Sequence, residues 1–151
     1  KAMKVVIDTN ILIGGADDEL SYAFKIIKEV IEGRIEAYAN HQTMSENRQM
    51  LRKLVRDREY RVALEEFFRK LNIVKTYRGV DIVSDAEDNK LIESAVSAGA
   101  DYLITNDKGV LAVGEYHGTA IVTPEEFWAK YKNDDDSDSA WNEWSKMLMG
   151  K

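Results

Sequence analysis

Lys4-Val5-Val6-Ile7-Asp8-Thr9-Asn10 is the stretch whose reading decides the fold. Three β-branched residues run into a carboxylate, a hydroxyl and an amide, the pattern of a first buried strand and the polar turn that ends it. In open α/β sheets, ligands collect outside the carboxyl ends of the strands, so Asp8 would project into a crevice that other strand ends also reach. Taken alone, such an Asp more often does no more than initiate a turn. Its meaning depends on whether further acids arrive at the same place.

A second stretch repeats the layout: Tyr102-Leu103-Ile104-Thr105 reads as a buried strand running into Asn106-Asp107. Between the two, strands and helices alternate. Gly14-Gly15 breaks the first pattern, and Asp17 or Asp18 is placed to cap a helix with Leu20, Phe24, Ile27 and Ile31 along one face, ended by Gly33. Residues 35–39 alternate as a short strand. Thr43-Met44-Ser45-Glu46 has the layout of a capping box opening a basic helix to about Asp57, and a second helix follows with Tyr60, Leu64, Phe67, Phe68 and Leu71 inward. Ile73 and Val74 suggest a brief strand.

Ser84 or Asp85 then caps a helix with Leu91, Ile92, Ala95 and Val96 on its packed face, with Gly99 past its end. Val110 and Leu111 belong to a short turn or helix, residues 119–123 to another strand, and Thr123-Pro124-Glu125-Glu126 opens a last helix carrying Phe127, Trp128 and Tyr131. Strands separated by helices require crossover connections, which predicts an α/β fold with a mostly parallel sheet covered on both faces.

The chain has 151 residues, enough for one ordinary domain, expected over 3–132. Residues 133–151 read as an acidic, low-complexity linker and a short amphipathic tail with Trp141, Trp144 and Leu148 on one side. The absence of cysteine excludes a thiol nucleophile and a thiolate metal site. No apolar run approaches the roughly 20 residues of a membrane helix, and the amino end lacks a signal-peptide layout, so no membrane and a cytoplasmic location are expected. The net charge of −6 argues at first against a nucleic-acid partner. The distribution is uneven, however: five acids against two lysines over 133–151 account for half of it, whereas Arg48, Arg52, Lys53 and Arg56 gather positive charge on the helices where a polyanion could approach. The same run is also what a solvated helical face looks like.

Four carboxylates stand where such a fold could bring them together: Asp8 and Asp107 after strands, and Glu46 and Asp88 in the first turns of helices. Singly, Glu46 could merely complete a capping box and Asp88 favour the positive end of its helix. Jointly they would repel one another unless one takes up a proton or a cation intervenes. A hard divalent ion, Mg²⁺ or Mn²⁺, accepts such oxygen ligands, and it suits phosphodiester hydrolysis by lowering the pKa of a water and holding the phosphate. His41 and His117 have no partner at metal-ligand spacing. A phosphatase of the haloacid dehalogenase kind would want a second acid two residues after Asp8, where Asn10 stands.

Val6-Ile7-Asp8-Thr9-Asn10-Ile11-Leu12, Ser45-Glu46, Asp85-Ala86-Glu87-Asp88-Asn89 with Ala95, Gly99-Ala100-Asp101-Tyr102-Leu103 and Thr105-Asn106-Asp107 together resemble the PIN-domain family over residues 3–131. Within it they look most like the toxin components (VapC-like) of toxin–antitoxin pairs. The resemblance implies a three-layer α/β/α sandwich and a divalent-metal endoribonuclease acting on RNA, often a homodimer and often silenced by an antitoxin protein. Residue by residue it places Asp8, Glu46, Asp88 and Asp107 on the family's metal-binding acids. Asp85 competes with Asp88, which is preferred because Ala95 follows it by seven residues, on the same helical side. Thr9, Asn10 and Thr105 match polar positions that orient the acids or the water. Lys108, Gly109 and Val110 depart from the pattern, since many relatives carry a further acid or amide there. A non-catalytic module of the same scaffold, binding RNA or protein, is the alternative function.

Overall fold

The computed structural model describes residues 2–14, 21–76 and 79–148. Among these described residues, six strands and seven helices follow one another as β1 (Met3–Ile7), α1 (Thr9–Gly14), α2 (Tyr22–Ile31), β2 (Ile35–Asn40), α3 (His41–Leu54), α4 (Arg58–Lys70), β3 (Asn72–Val74), α5 (Ala86–Ala98), β4 (Tyr102–Ile104), α6 (Lys108–Leu111), β5 (Glu115–Tyr116), β6 (Thr119–Val122) and α7 (Pro124–Leu148). The strands form one sheet in the order β3-β2-β1-β4-β6-β5. All neighbours pair in parallel except β5 with β6, which are antiparallel. The three-layer sandwich around a mostly parallel sheet is the architecture the alternation of strands and helices demands.

Register explains the two cores. Val6, Leu103 and Ile121 lie side by side across β1, β4 and β6, and all three belong to the smaller buried cluster, with Ile92 and Ala95 of α5 and Val110 of α6. One residue along, Ile7, Ile104 and Val122 form the next row and face the other way. There Val5, Ile104 and Val122 join the larger cluster with Ile26 and Ile27 of α2, Leu51 of α3, Tyr60, Leu64, Phe67 and Phe68 of α4, and Phe127 of α7. Alternation along each strand thus sorts side chains into two separate layers of helix contacts.

Several boundaries differ from the sequence reading. The cap of α2 is Ser21, whose Oγ accepts the Phe24 N–H at 3.2 Å; Asp17 and Asp18 lie outside the described residues. α3 starts earlier than the Thr43–Glu46 capping box implied, because Asn40 at the end of β2 accepts the Thr43 N–H at 2.7 Å and caps the helix itself. Glu46 is therefore not a capping residue. Asp57 caps α4 instead of ending α3. The β5 strand went unforeseen; it returns to β6 through His117 and Gly118, both at positive φ (50° and 86°), as a two-residue hairpin turn requires. The backbone over 133–139, read as a linker, continues α7 as helix. Trp141 falls among residues whose side chains are not described, and Trp144 is exposed. No helix among the described residues is long and apolar enough to cross a membrane.

Candidate active site

The strand order reverses at β1: the chain runs to β2 and β3 on one side and to β4 and β6 on the other. The carboxyl ends of β1 and β4 are consequently neighbours, opening on the crevice that such a switch point creates. The Asp8 N–H continues the ladder by donating to the Ile104 carbonyl at 2.9 Å, so the two strand-then-acid stretches finish side by side. Thr105, fully buried, then joins them. Its hydroxyl donates to Asp8 Oδ2 at 2.8 Å and accepts the Asp107 N–H at 3.0 Å. One small side chain, 97 residues from Asp8, thereby sets the position of both acids.

Each acid is also tied to the start of a helix. Asp8 Oδ1 accepts the Asn10 N–H at 3.2 Å. Asp107 Oδ1 accepts the Val110 N–H at 3.0 Å. A side chain at Gly109 would put its Cβ 3.2 Å from that same oxygen, so the glycine keeps the carboxylate uncrowded. Asp85 caps α5, its Oδ1 accepting the Glu87 and Asp88 N–H groups at 2.8 and 3.2 Å.

A cavity of about 320 Å³ lies in front of these groups. Asp8, Asp88 and Asp107 line it together, as do Asp85, Thr9 and Asn10. From α3, Thr43, Asn47 and Met50 face it, one side of the helix at i, i+4 and i+7. Glu46 is not among the lining residues; it is exposed and accepts the Gln42 amide at 3.2 Å. Burial, followed by the carboxylates of Asp107, Asp85 and Asp8, pushes Asp88 up to about 6. Asp88 is therefore close enough to these carboxylates to feel them.

Among the described residues, no three His, Cys, Asp or Glu side chains are drawn together as a metal cluster. The capping and threonine hydrogen bonds hold Asp8, Asp85 and Asp107 each towards its own backbone partners, and mutual repulsion favours the separation. The donor set nevertheless fits a hard cation: it is all oxygen, anionic in excess, and carries in Asp88 a raised proton affinity that a positive ion would reverse.

The cations foreseen as a substrate surface divide. Arg48 and Arg52 bind Glu65 of α4 at 2.5 and 3.1 Å, away from the cavity, and hold the Glu65 carboxyl below its usual range. Lys53 and Arg56 are exposed. Two contributors escaped the sequence reading. Asn40, besides capping α3, donates its amide to Ser94 Oγ of α5 at 2.9 Å, linking the two helices that flank the cavity. Asn89 accepts the Ile82 and Val83 N–H groups at 3.1 Å and donates to the Val83 carbonyl at 2.8 Å, fixing the loop that delivers Asp85. The only signal for either was an amide beside a strand end or an acid motif, which many turns share.

A family model for the PIN domain matches residues 4–109. No curated protein matches the chain. Two solved structures share its fold. One is the crystal structure of VapBC2 from Rickettsia felis bound to a DNA fragment from their promoter, with a TM-score of 0.53 and 12% identity over 79% of this chain and 97% of that one. The other is the crystal structure of PAE2754 from Pyrobaculum aerophilum, with a TM-score of 0.51 and 19% identity over 86% of this chain and 97% of that one.

Proposed function

The chain belongs to the PIN domain family, whose members are nucleases, and on that premise we propose that it is a divalent-metal-dependent endoribonuclease, the toxin of a toxin–antitoxin pair. The observation that carries the proposal is the convergence of Asp8, Asp88 and Asp107 on one cavity, with Thr105 bridging two of them. Asp8, Asp88 and Asp107 would hold the ion, with Glu46 as the outlying fourth member of the set. When bound, Mg²⁺ or Mn²⁺ supplies charge to the phosphate and acidity to a water.

The chain's own residues account for the rest. Thr105 keeps Asp8 and Asp107 oriented, and Thr9 and Asn10 extend the polar wall. Neither His nor Lys lines the cavity among the described residues, so one of its carboxylates would serve as the base for an attacking water, and no covalent intermediate is needed. Lys53 and Arg56 offer the RNA backbone free charge, whereas Arg48 and Arg52 would first have to release Glu65. The fold likeness to VapBC2 supports an antitoxin protein as partner, and a homodimer belongs to the same proposal.

Cleavage of a single-stranded or looped RNA should require Mg²⁺ or Mn²⁺, stop with a chelator, and fall roughly 100-fold or more in Asp8→Asn with the circular dichroism spectrum unchanged. Full activity in Asp8→Asn, or in the chelator, overturns the assignment. The exposed cations Lys53 and Arg56 favour one second reading, a scaffold that only binds RNA or protein. RNA binding indifferent to chelation, with no cleavage on long incubation, would establish it.

A further inference from the structure

A second cavity, of about 400 Å³, opens beside the acidic one and shares Asn10 with it. Its volume lies within the range of small-molecule sites. Asn106, between Thr105 and Asp107, lines it from the end of β4, and Tyr22 from the first turn of α2. Ser21 and Thr123 also line it, but their hydroxyls already cap helices, accepting the Phe24 and Glu126 N–H groups at 3.2 and 3.1 Å. The amides of Asn10 and Asn106 make no side-chain hydrogen bond among the described residues.

The lining selects the guest. Glu125 stands at the wall and no Lys or Arg lines the cavity among the described residues, the Lys25 ammonium being engaged over the Tyr22 ring at 5.2 Å, so the lining itself does not favour a phosphate. Two unengaged amides, each offering donors and an acceptor, suit a neutral flat molecule with an edge of mixed donors and acceptors. Tyr22, 39% accessible, carries the Lys25 ammonium over one face of its ring, and the ring's other face offers the guest a stacking surface. These are the means by which single-stranded RNA bases are recognised, through edge hydrogen bonds and aromatic stacking.

We propose that this cavity receives the base of the RNA nucleotide next to the scissile phosphate, its edge met by Asn10 and Asn106 and its ring by Tyr22. The proposal rests on the nuclease reading of the neighbouring acids for its position relative to the cut. A site that reads one base beside the cleavage centre makes the enzyme selective at one position and leaves the rest of the strand to charge.

Two experiments separate the outcomes. Digestion of a randomised single-stranded RNA pool with Mn²⁺, followed by sequencing of the ends, should give a base bias at one position beside the cut. Asn106→Ala and Tyr22→Ala should flatten that bias, whereas Val62→Ala, on the far face of α4, should leave it. Binding of a fluorescent RNA pentanucleotide to the Asp8→Asn protein should weaken about tenfold with Tyr22→Ala added. Cleavage without bias, or a bias untouched by both variants, overturns the base site and leaves the nuclease standing. Tyr22-dependent binding with no cleavage by the wild type overturns the nuclease and keeps the base site. Binding indifferent to Tyr22 overturns the site whatever the cleavage result.

Discussion

Asp88 is the residue on which the electrostatics of the site concentrate. Its pKa is raised to about 6 by burial and by the carboxylates of Asp107, Asp85 and Asp8. Because the folded protein holds this proton more tightly than the unfolded chain, the associated stability is fully present below about pH 4 and is lost as the pH rises through 6. Asp88→Asn removes the charge that the fold disfavours. In chelator at pH 8 it should raise the melting temperature by roughly 2–4 °C, a gain held to about 1 kcal/mol by solvent screening, and at pH 3.5 it should leave it unchanged. A scan at both pH values checks this; equal shifts would mean that the acids do not interact. At this scale the strand-ending acids were legible, because a β-branched run stopping at Asp is a local pattern. Thr105 was legible as a polar position, but its bridging role depends on β1 and β4 being adjacent, a fact of topology. Glu46 stayed outside the cavity because the side of α3 that faces it is that of Thr43, Asn47 and Met50, and Glu46 lies about 100° round the helix from Asn47.

Among the elements, α1 is short, and it carries Thr9 and Asn10 into the site. It is braced from outside: the buried Tyr60 of α4 donates its hydroxyl to the Leu12 carbonyl, and burial pushes that phenol well above its usual range. The Leu12 carbonyl is one of the last in its helix and has no partner of its own within it. Tyr60→Phe keeps the ring contact with Phe24, whose centroid is 5.5 Å away, but removes the phenol's hydrogen bond to that carbonyl. The expected cost is about 1–3 kcal/mol in urea unfolding with the m-value unchanged. A loss near zero would mean that a water takes the place of the phenol. The inward face of α4 was readable from its spacing, and four of its five residues are buried as that spacing requires. The hydrogen bond to α1 was not, because Tyr60 and Leu12 are separated by 48 residues and share no local pattern.

At the scale of the whole molecule, acidic side chains that follow β1 and β4 and one from α5 meet only in the folded chain, so a bound cation should favour that state over the unfolded one. Saturating Mn²⁺ should raise the melting temperature of the wild type measurably, and that of Asp8→Asn by less than half as much. Identical shifts in the two proteins would locate binding elsewhere. The architecture was legible because alternating strands and helices leave few ways to wind a sheet. The continuation of α7 through 133–139 was not, since the acidic composition there carries no helical periodicity.

The sheet closes with stubs on both rims, β3 with three residues and β5 with two. So little open ladder gives a passing strand almost nothing to zip onto. A second copy of this chain would therefore find no strand edge to extend, which leaves the mouth between β1 and β4 clear of any seam built by shared strands.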